Sequence, residues 1–137
     1  MGSTLKLANE KSAYTLSDSA TYLKYRSEDI VQLEALIVNG KELTNVYSVI
    51  AVNPEKIKGV NFKDAVKFIE YLVSDDTQRF IGDFGRDRFQ KPLFSPAANL
   101  LKNNPDDVEA RWVSELAFLD GSECPQQYRA GQDQLYR

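Results

Sequence analysis

The chain has 137 residues with 20 acidic and 17 basic side chains, for a formal net charge of −3. That length allows one domain with a modest core, and the acidic balance gives no basic footprint for nucleic acid or an anionic membrane surface. The absence of histidine, with Cys124 as the one cysteine, excludes an intrachain disulfide, the usual zinc centres and a His-activated nucleophile.

The sequence therefore points away from an enzyme, and no cofactor or metal is expected. Carboxylate or lysine chemistry is the route left formally open. The longest apolar run, "VYSVIAV" at 46–52, is far too short to span a bilayer. No signal peptide opens the chain. "MGSTLK" misses the myristoylation pattern, because Lys6 stands where Ser or Thr is required.

In chain order, 5–11 reads as the end of a helix. "SAYTLS" at 12–17 reads as a short strand, with Tyr14 and Leu16 on one face and Ala13, Thr15 and Ser17 on the other. Ser17 or Asp18 then caps a helix over 19–26, since either side chain accepts from exposed backbone N–H groups. "VQLEALIV" at 31–38 alternates as a half-buried strand that becomes more buried toward its end. Asn39–Gly40 is a hairpin signal. "NVYSVIAVNP" at 45–54 reads as a central strand ended by Asn53–Pro54.

The clearest element runs over 61–73. Asn61 caps it and Asp64 stands three residues on, a spacing that also suits the helix dipole. Phe62, Ala65, Val66, Ile69, Leu72 and Val73 form one apolar stripe. Ser74 caps the next helix, Asp75 and Asp76 lie at its positive end, and Gly85 stops it. Phe80, Ile81 and Phe84 form its apolar side. "KPLFSP" at 91–96 is extended. A last helix starts at Asn104, with Pro105 in its first position and Val108, Trp112, Leu116 and Leu119 as its stripe. The polar stretch 120–137 reads as a loose tail.

The residues that can carry chemistry cluster in "AYTLSDSATYL". Thr15, Ser17, Asp18, Ser19 and Thr21 bring neutral donors to a strand-to-helix junction, where a helix N-terminus adds partial positive charge. That combination suits a dehydrated oxyanion. The plainer reading is a capped turn with incidental alcohols. Arg86 and Arg88 in "FGRDRFQ" suit an anion or, more simply, local pairing with Asp83 and Asp87. Lys56 and Lys58 belong to a solvated loop. No glycine-rich phosphate loop is present.

Taken in order, "MGSTLKLANEKSAYTLSDSATYL", "NVYSVIAVNPEK", "NFKDAVKFIEYLVSDDTQRFIGDFG" and "PLFSP" resemble the C-terminal half of the tungstate-binding proteins of ABC importers. These are members of the type II periplasmic-binding-protein superfamily. The resemblance covers about residues 1–97. It implies an α/β chain that carries part of each of two lobes, with 98–137 as a helical extension and polar tail. In the family, the oxyanion is held in a cleft between the lobes. The resemblance thus implies cleft-facing roles for Thr15, Ser17, Asp18 and Thr21. Ser19 and Ala20 stand where the family's "TDRGTYL" has arginine and glycine. The family's Thr/Ser-rich loop and its "RGDxSGT" segment do not occur here.

By resemblance the function is capture of tungstate or molybdate for an ABC permease, in an extracytoplasmic setting. A truncated domain of this kind is expected to bind weakly or not at all alone. Met1 is read as an internal methionine or a misplaced start, with "MGS" as a vector scar the other option. The alternative function is a degenerate interaction half-domain that forms homo-oligomers and binds no anion, because unpaired strand edges and helix faces invite a covering chain.

Overall fold

A computed structural model describes residues 1–117. Seven α-helices are present among them: α1 Gly2–Lys11, α2 Ser19–Ser27, α3 Phe62–Val73, α4 Asp75–Asp83, α5 Arg86–Phe89, α6 Ala97–Asn103 and α7 Val108–Leu116, with a single 3-10 turn at Lys41–Leu43. The chain divides into two units, Met1–Val38 with Ile81–Ser95, and Asn39–Phe80 with Pro96–Arg137.

In the first unit, α1 packs against α2. Leu5, Ala8 and Val31 form the buried apolar centre, with Leu5 and Val31 the largest fully enclosed side chains. The segment after α2 is held by side chains rather than by a neighbouring strand. The Gln32 N–H donates to Asn9 Oδ1 at 2.7 Å, and the Tyr22 hydroxyl donates to the Leu33 carbonyl at 3.1 Å. Helix α1 ends on Ser12 in the left-handed region (φ 51°), and the N–H of Ala13 closes back onto the Ala8 carbonyl at 2.9 Å.

The return segment of this unit turns at Gly85, whose φ of 91° lies in the left-handed region that glycine adopts without strain. The Leu93 N–H donates to the Phe84 carbonyl at 2.9 Å, and the Phe84 and Phe94 rings lie 6.1 Å apart. Arg86 pairs with Asp83 at 3.2 Å, and Arg88 pairs with Glu28 at 2.9 Å rather than with Asp87. The Arg88 guanidinium also lies 5.3 Å from the Phe89 ring centre. Both members of the Arg88–Glu28 pair are exposed enough to be solvated. Arg88→Ala should therefore cost under about 1 kcal/mol in a urea melt, and 0.5 M salt should erase most of the difference.

In the second unit, Asn61 caps α3 as the sequence implies. Its Oδ1 accepts the Asp64 N–H at 3.3 Å and its Nδ2 donates to Asp64 Oδ2 at 2.7 Å. The α3 stripe is half-buried at Phe62, Ala65, Val66, Ile69 and Leu72, while Val73 is exposed. Ser74 Oγ accepts the Thr77 N–H at the start of α4. Phe80 and Phe84, read as its apolar side, are exposed. Helix α6 packs on α7.

The structure departs from the sequence reading in three places. The three expected strands do not form: no strand is present among the described residues, which are helical, extended or turn. An α/β arrangement is therefore not seen there. The reason is physical. Alternation marks which side chains want cover, whereas a ladder also needs a second backbone to pair with. Tyr14, Ile37 and Ile50 are 90%, 76% and 71% exposed, so no layer among the described residues covers them. Asn39–Gly40 accordingly leads into the 3-10 turn, with the Leu43 N–H donating to the Gly40 carbonyl, instead of a hairpin.

The last helix also starts later than expected. Asp107 is its cap, and its Oδ1 accepts the Glu109 N–H at 2.8 Å. Asn104 is instead the C-cap of α6, a helix the sequence reading did not anticipate. The buried face of α7 is Ala110 and Val113, beside half-buried Trp112 and Leu116, and Val108 is exposed. Leu119, Cys124 and the stretch read as a tail lie outside the described residues.

Candidate functional site

The hydroxyl-rich junction lies in the first unit, where extended residues 13–18 enter α2. An α-helix leaves its first N–H groups without intrahelical acceptors. Asp18 occupies the cap position with extended backbone (φ −66°, ψ 148°), and its Oδ1 accepts the Thr21 N–H at 2.7 Å. The other carboxylate oxygen accepts the Thr21 hydroxyl, also at 2.7 Å. Both of Thr21's donors therefore go to one neighbour. Ser17 Oγ donates to the Asp18 carbonyl at 3.1 Å, and Thr15 Oγ1 makes a long contact of 3.5 Å to the Leu16 carbonyl.

Exposure separates the five candidates. Thr15 and Ser19 are exposed, while Ser17, Asp18 and Thr21 are half-buried. The structure brings Ser17, Asp18 and Thr21 into one hydrogen-bonded group and leaves Thr15 outside it. None of the five lies in a packed interior.

The charge of Asp18 dominates the electrostatics. Burial pushes its carboxyl up, but hydrogen bonds from the Thr21 N–H, the Thr21 hydroxyl and its own N–H, with the Met1 ammonium nearby, outweigh burial and hold it below the usual 3.8. The group is thus ionised at neutral pH and already occupies the positive end of α2. An incoming anion meets the N–H groups of Ser19 and Ala20 and the hydroxyl of Ser19, the Ser17 hydroxyl being spent on the Asp18 carbonyl. It also meets one fixed negative charge. The junction can donate several hydrogen bonds to an oxyanion, although the carboxylate opposes close approach.

Tyr22 reads in the sequence only as apolar surface of this helix, with Leu23 and Tyr25, yet its hydroxyl ties α2 to the Leu33 carbonyl. An aromatic one position after the cap box is ordinary helix surface, so no local signal marks it. Arg86 and Arg88 are engaged with carboxylates of the same unit. Among the described residues no group of three or more Cys, Asp or Glu side chains is placed to hold a metal ion, and no helix is long and apolar enough to cross a membrane.

Known proteins resemble this chain over most of its length. It is 38% identical over 98 residues to the tungstate-binding protein TupA of Peptoclostridium acidaminophilum, covering 72% of this chain and 34% of that protein. It is 43% identical over 96 residues to the tungstate-binding protein TupA of Campylobacter jejuni, covering 69% and 35% respectively. A putative ABC transporter anion-binding protein of Haloferax volcanii is 36% identical over 110 residues, covering 77% of this chain and 30% of its own. No family model matches the sequence, and no solved structure matches it.

The relatives are binding proteins and not enzymes, and the chain is related to that anion-binding class. Within the class it is a relative of the tungstate-binding proteins, and it spans about a third of the length of the curated relatives it matches.

Proposed function

We propose that this chain is part of an oxyanion-binding protein of an ABC import system, of the tungstate or molybdate type, working outside the cytoplasm with a permease as partner. The observation that carries this reading is the 38% and 43% identity to two proteins named for tungstate binding, over 72% and 69% of this chain. Residues 1–97 are the binding-protein portion and 98–137 an extension.

The chemistry of the junction is compatible with that reading. Sites for dehydrated oxyanions discriminate through fitted neutral donors rather than net charge. Ser19 supplies such a donor beside the start of α2, with Thr15 four residues before it, while the Ser17 hydroxyl donates to the Asp18 carbonyl. Asp18 and Thr21 form the cap that sets their position. With Thr21 spent on Asp18 and a carboxylate at the helix end, the donors on this chain are few. Binding by the chain alone is accordingly weak or absent.

Isothermal titration of the 137-residue chain with tungstate, then molybdate, with sulfate as control, tests this. The expected dissociation constant is weaker than about 1 μM, well short of the heat and melting shift of a complete site. Tight, one-to-one uptake of tungstate by the monomer would overturn the view that the chain alone is a weak binder.

A second reading, a degenerate interaction half-domain that forms homo-oligomers and binds no anion, draws on one observation. The uncharged stretch 45–52 exposes Tyr47, Val49, Ile50 and Val52. Absence of any heat, together with a concentration-dependent sedimentation coefficient, would favour it.

A further inference from the structure

Helix α6 has a cap that its own sequence does not provide. Its N-cap residue is Pro96, which has no side-chain acceptor, and no local side chain caps it. The N–H groups of Ala98 and Asn99 are instead both accepted by Gln78 Oε1, at 3.0 and 3.3 Å. The Nε2 of the same amide donates at 2.9 Å to the carbonyl of Leu72, one of the last four of α3. Gln78 is 6% exposed. One buried amide thus satisfies the end of α3 and the start of α6 together.

Two further polar ties from α6 and α7 to their unit, among the described residues, are solvated ion pairs. Lys102 reaches Asp75 at 3.0 Å, and Lys41 pairs with Glu115. Both are exposed and of the kind that contributes little. Helices of seven and nine residues do not persist alone, since isolated helices under about 12–15 residues are marginal in water. Helices α6 and α7 pack on each other, so they are held or lost as a pair.

We infer that Gln78 is a conformational latch: its amide docks helices α6 and α7 onto the α3–α4 junction, and its loss releases that pair as one local unfolding unit while α3 stays folded. The inference is independent of any anion. It assigns to a residue of the binding-protein-like portion the task of holding the helices that follow Pro96.

Native-state hydrogen exchange of the full chain by NMR tests the latch. In Gln78→Ala, amides of α6 and α7, beginning with Ala98 and Asn99, should exchange at least about tenfold faster, while those in the middle of α3 change by less than about threefold. Equal acceleration in α3 and α6, or unchanged exchange at Ala98 and Asn99, would overturn the latch. Should the variant fail to fold, the unaltered chain in low urea decides. The α6 and α7 amides should then share one opening that precedes that of α3, and merging of the two would sink the inference.

Discussion

Gly85→Ala should destabilise the chain by about 2–5 kcal/mol, read as a drop in the urea midpoint at unchanged slope. Two separate costs combine. At φ 91° the backbone of residue 85 lies where an L side chain crowds its own carbonyl, worth roughly 1–2 kcal/mol. A Cβ there would also stand 2.6 Å from Leu93 Cγ and 3.1 Å from its Cδ1, so the leucine must leave its place. Leu93 has little freedom to move, because its N–H is bonded to the Phe84 carbonyl and it follows Pro92. Overpacking of this kind costs a further 1–3 kcal/mol or so. Gly59 separates the two effects: its φ is 82°, but a Cβ there would meet nothing within 4 Å. Gly59→Ala should therefore show the backbone cost alone, about 1 kcal/mol. Equal losses at the two positions would mean that Leu93 yields freely and that the turn is not a packed feature.

The sequence reveals what depends on neighbours within a turn or two. Asp18 before "SAT", Asn61 before "FKD" and Ser74 before "DDT" each cap the helix they were expected to cap. A cap involves residues three apart, and its acceptor and donor are both in view. The same locality made the hydroxyl cluster visible. It could not show that Asp18 would take both donors of Thr21, which depends on side-chain torsions as well as composition.

What failed was whatever depends on a partner far along the chain. The stretch 31–38 has the periodicity of a strand, yet Val31 is fully buried while Leu36, Ile37 and Val38 are 71%, 76% and 69% exposed. Val31 is covered within the first unit, whereas the later residues have no second strand among the described residues to pair with. Helix α6 escaped notice for the same reason. "AANLLKN" after a proline carries no start signal, and its cap comes from Gln78, 20 residues earlier. At α7 the ambiguity was local: Asn104 and Asp107 are both good caps, and the chain uses Asp107 because the Asp107 N–H first closes a turn onto the Asn104 carbonyl.

Asp18 is the residue where stability and anion chemistry pull in opposite directions, and three variants at that position separate them. Asp18→Ala should cost about 1–2 kcal/mol at pH 7, because α2 loses its cap and Thr21 loses the acceptor of both its donors. Asp18→Asn should cost only a few tenths of a kcal/mol, since asparagine caps as well as aspartate. The acid limb of the stability profile distinguishes these two from the native chain. The Asp18 carboxyl titrates below 3.8 in the folded state. Its contribution is therefore fully present above the unfolded value near 3.9 and is lost as pH falls through the lower folded value. Between about pH 5 and pH 2 the native chain should lose stability faster than Asp18→Asn, which has no charge there to neutralise. Oxyanion binding should move the other way. A fixed negative charge about 4 Å from a bound anion costs on the order of 1 kcal/mol even in water, so Asp18→Asn should bind tungstate several-fold more tightly than the native chain. Asp18→Glu, which keeps the charge but moves it outward, should bind no more tightly than the native chain. Identical titrations for the native chain and Asp18→Asn would remove Ser19 and the first N–H groups of α2 from contact with the anion and leave the junction as a helix cap alone.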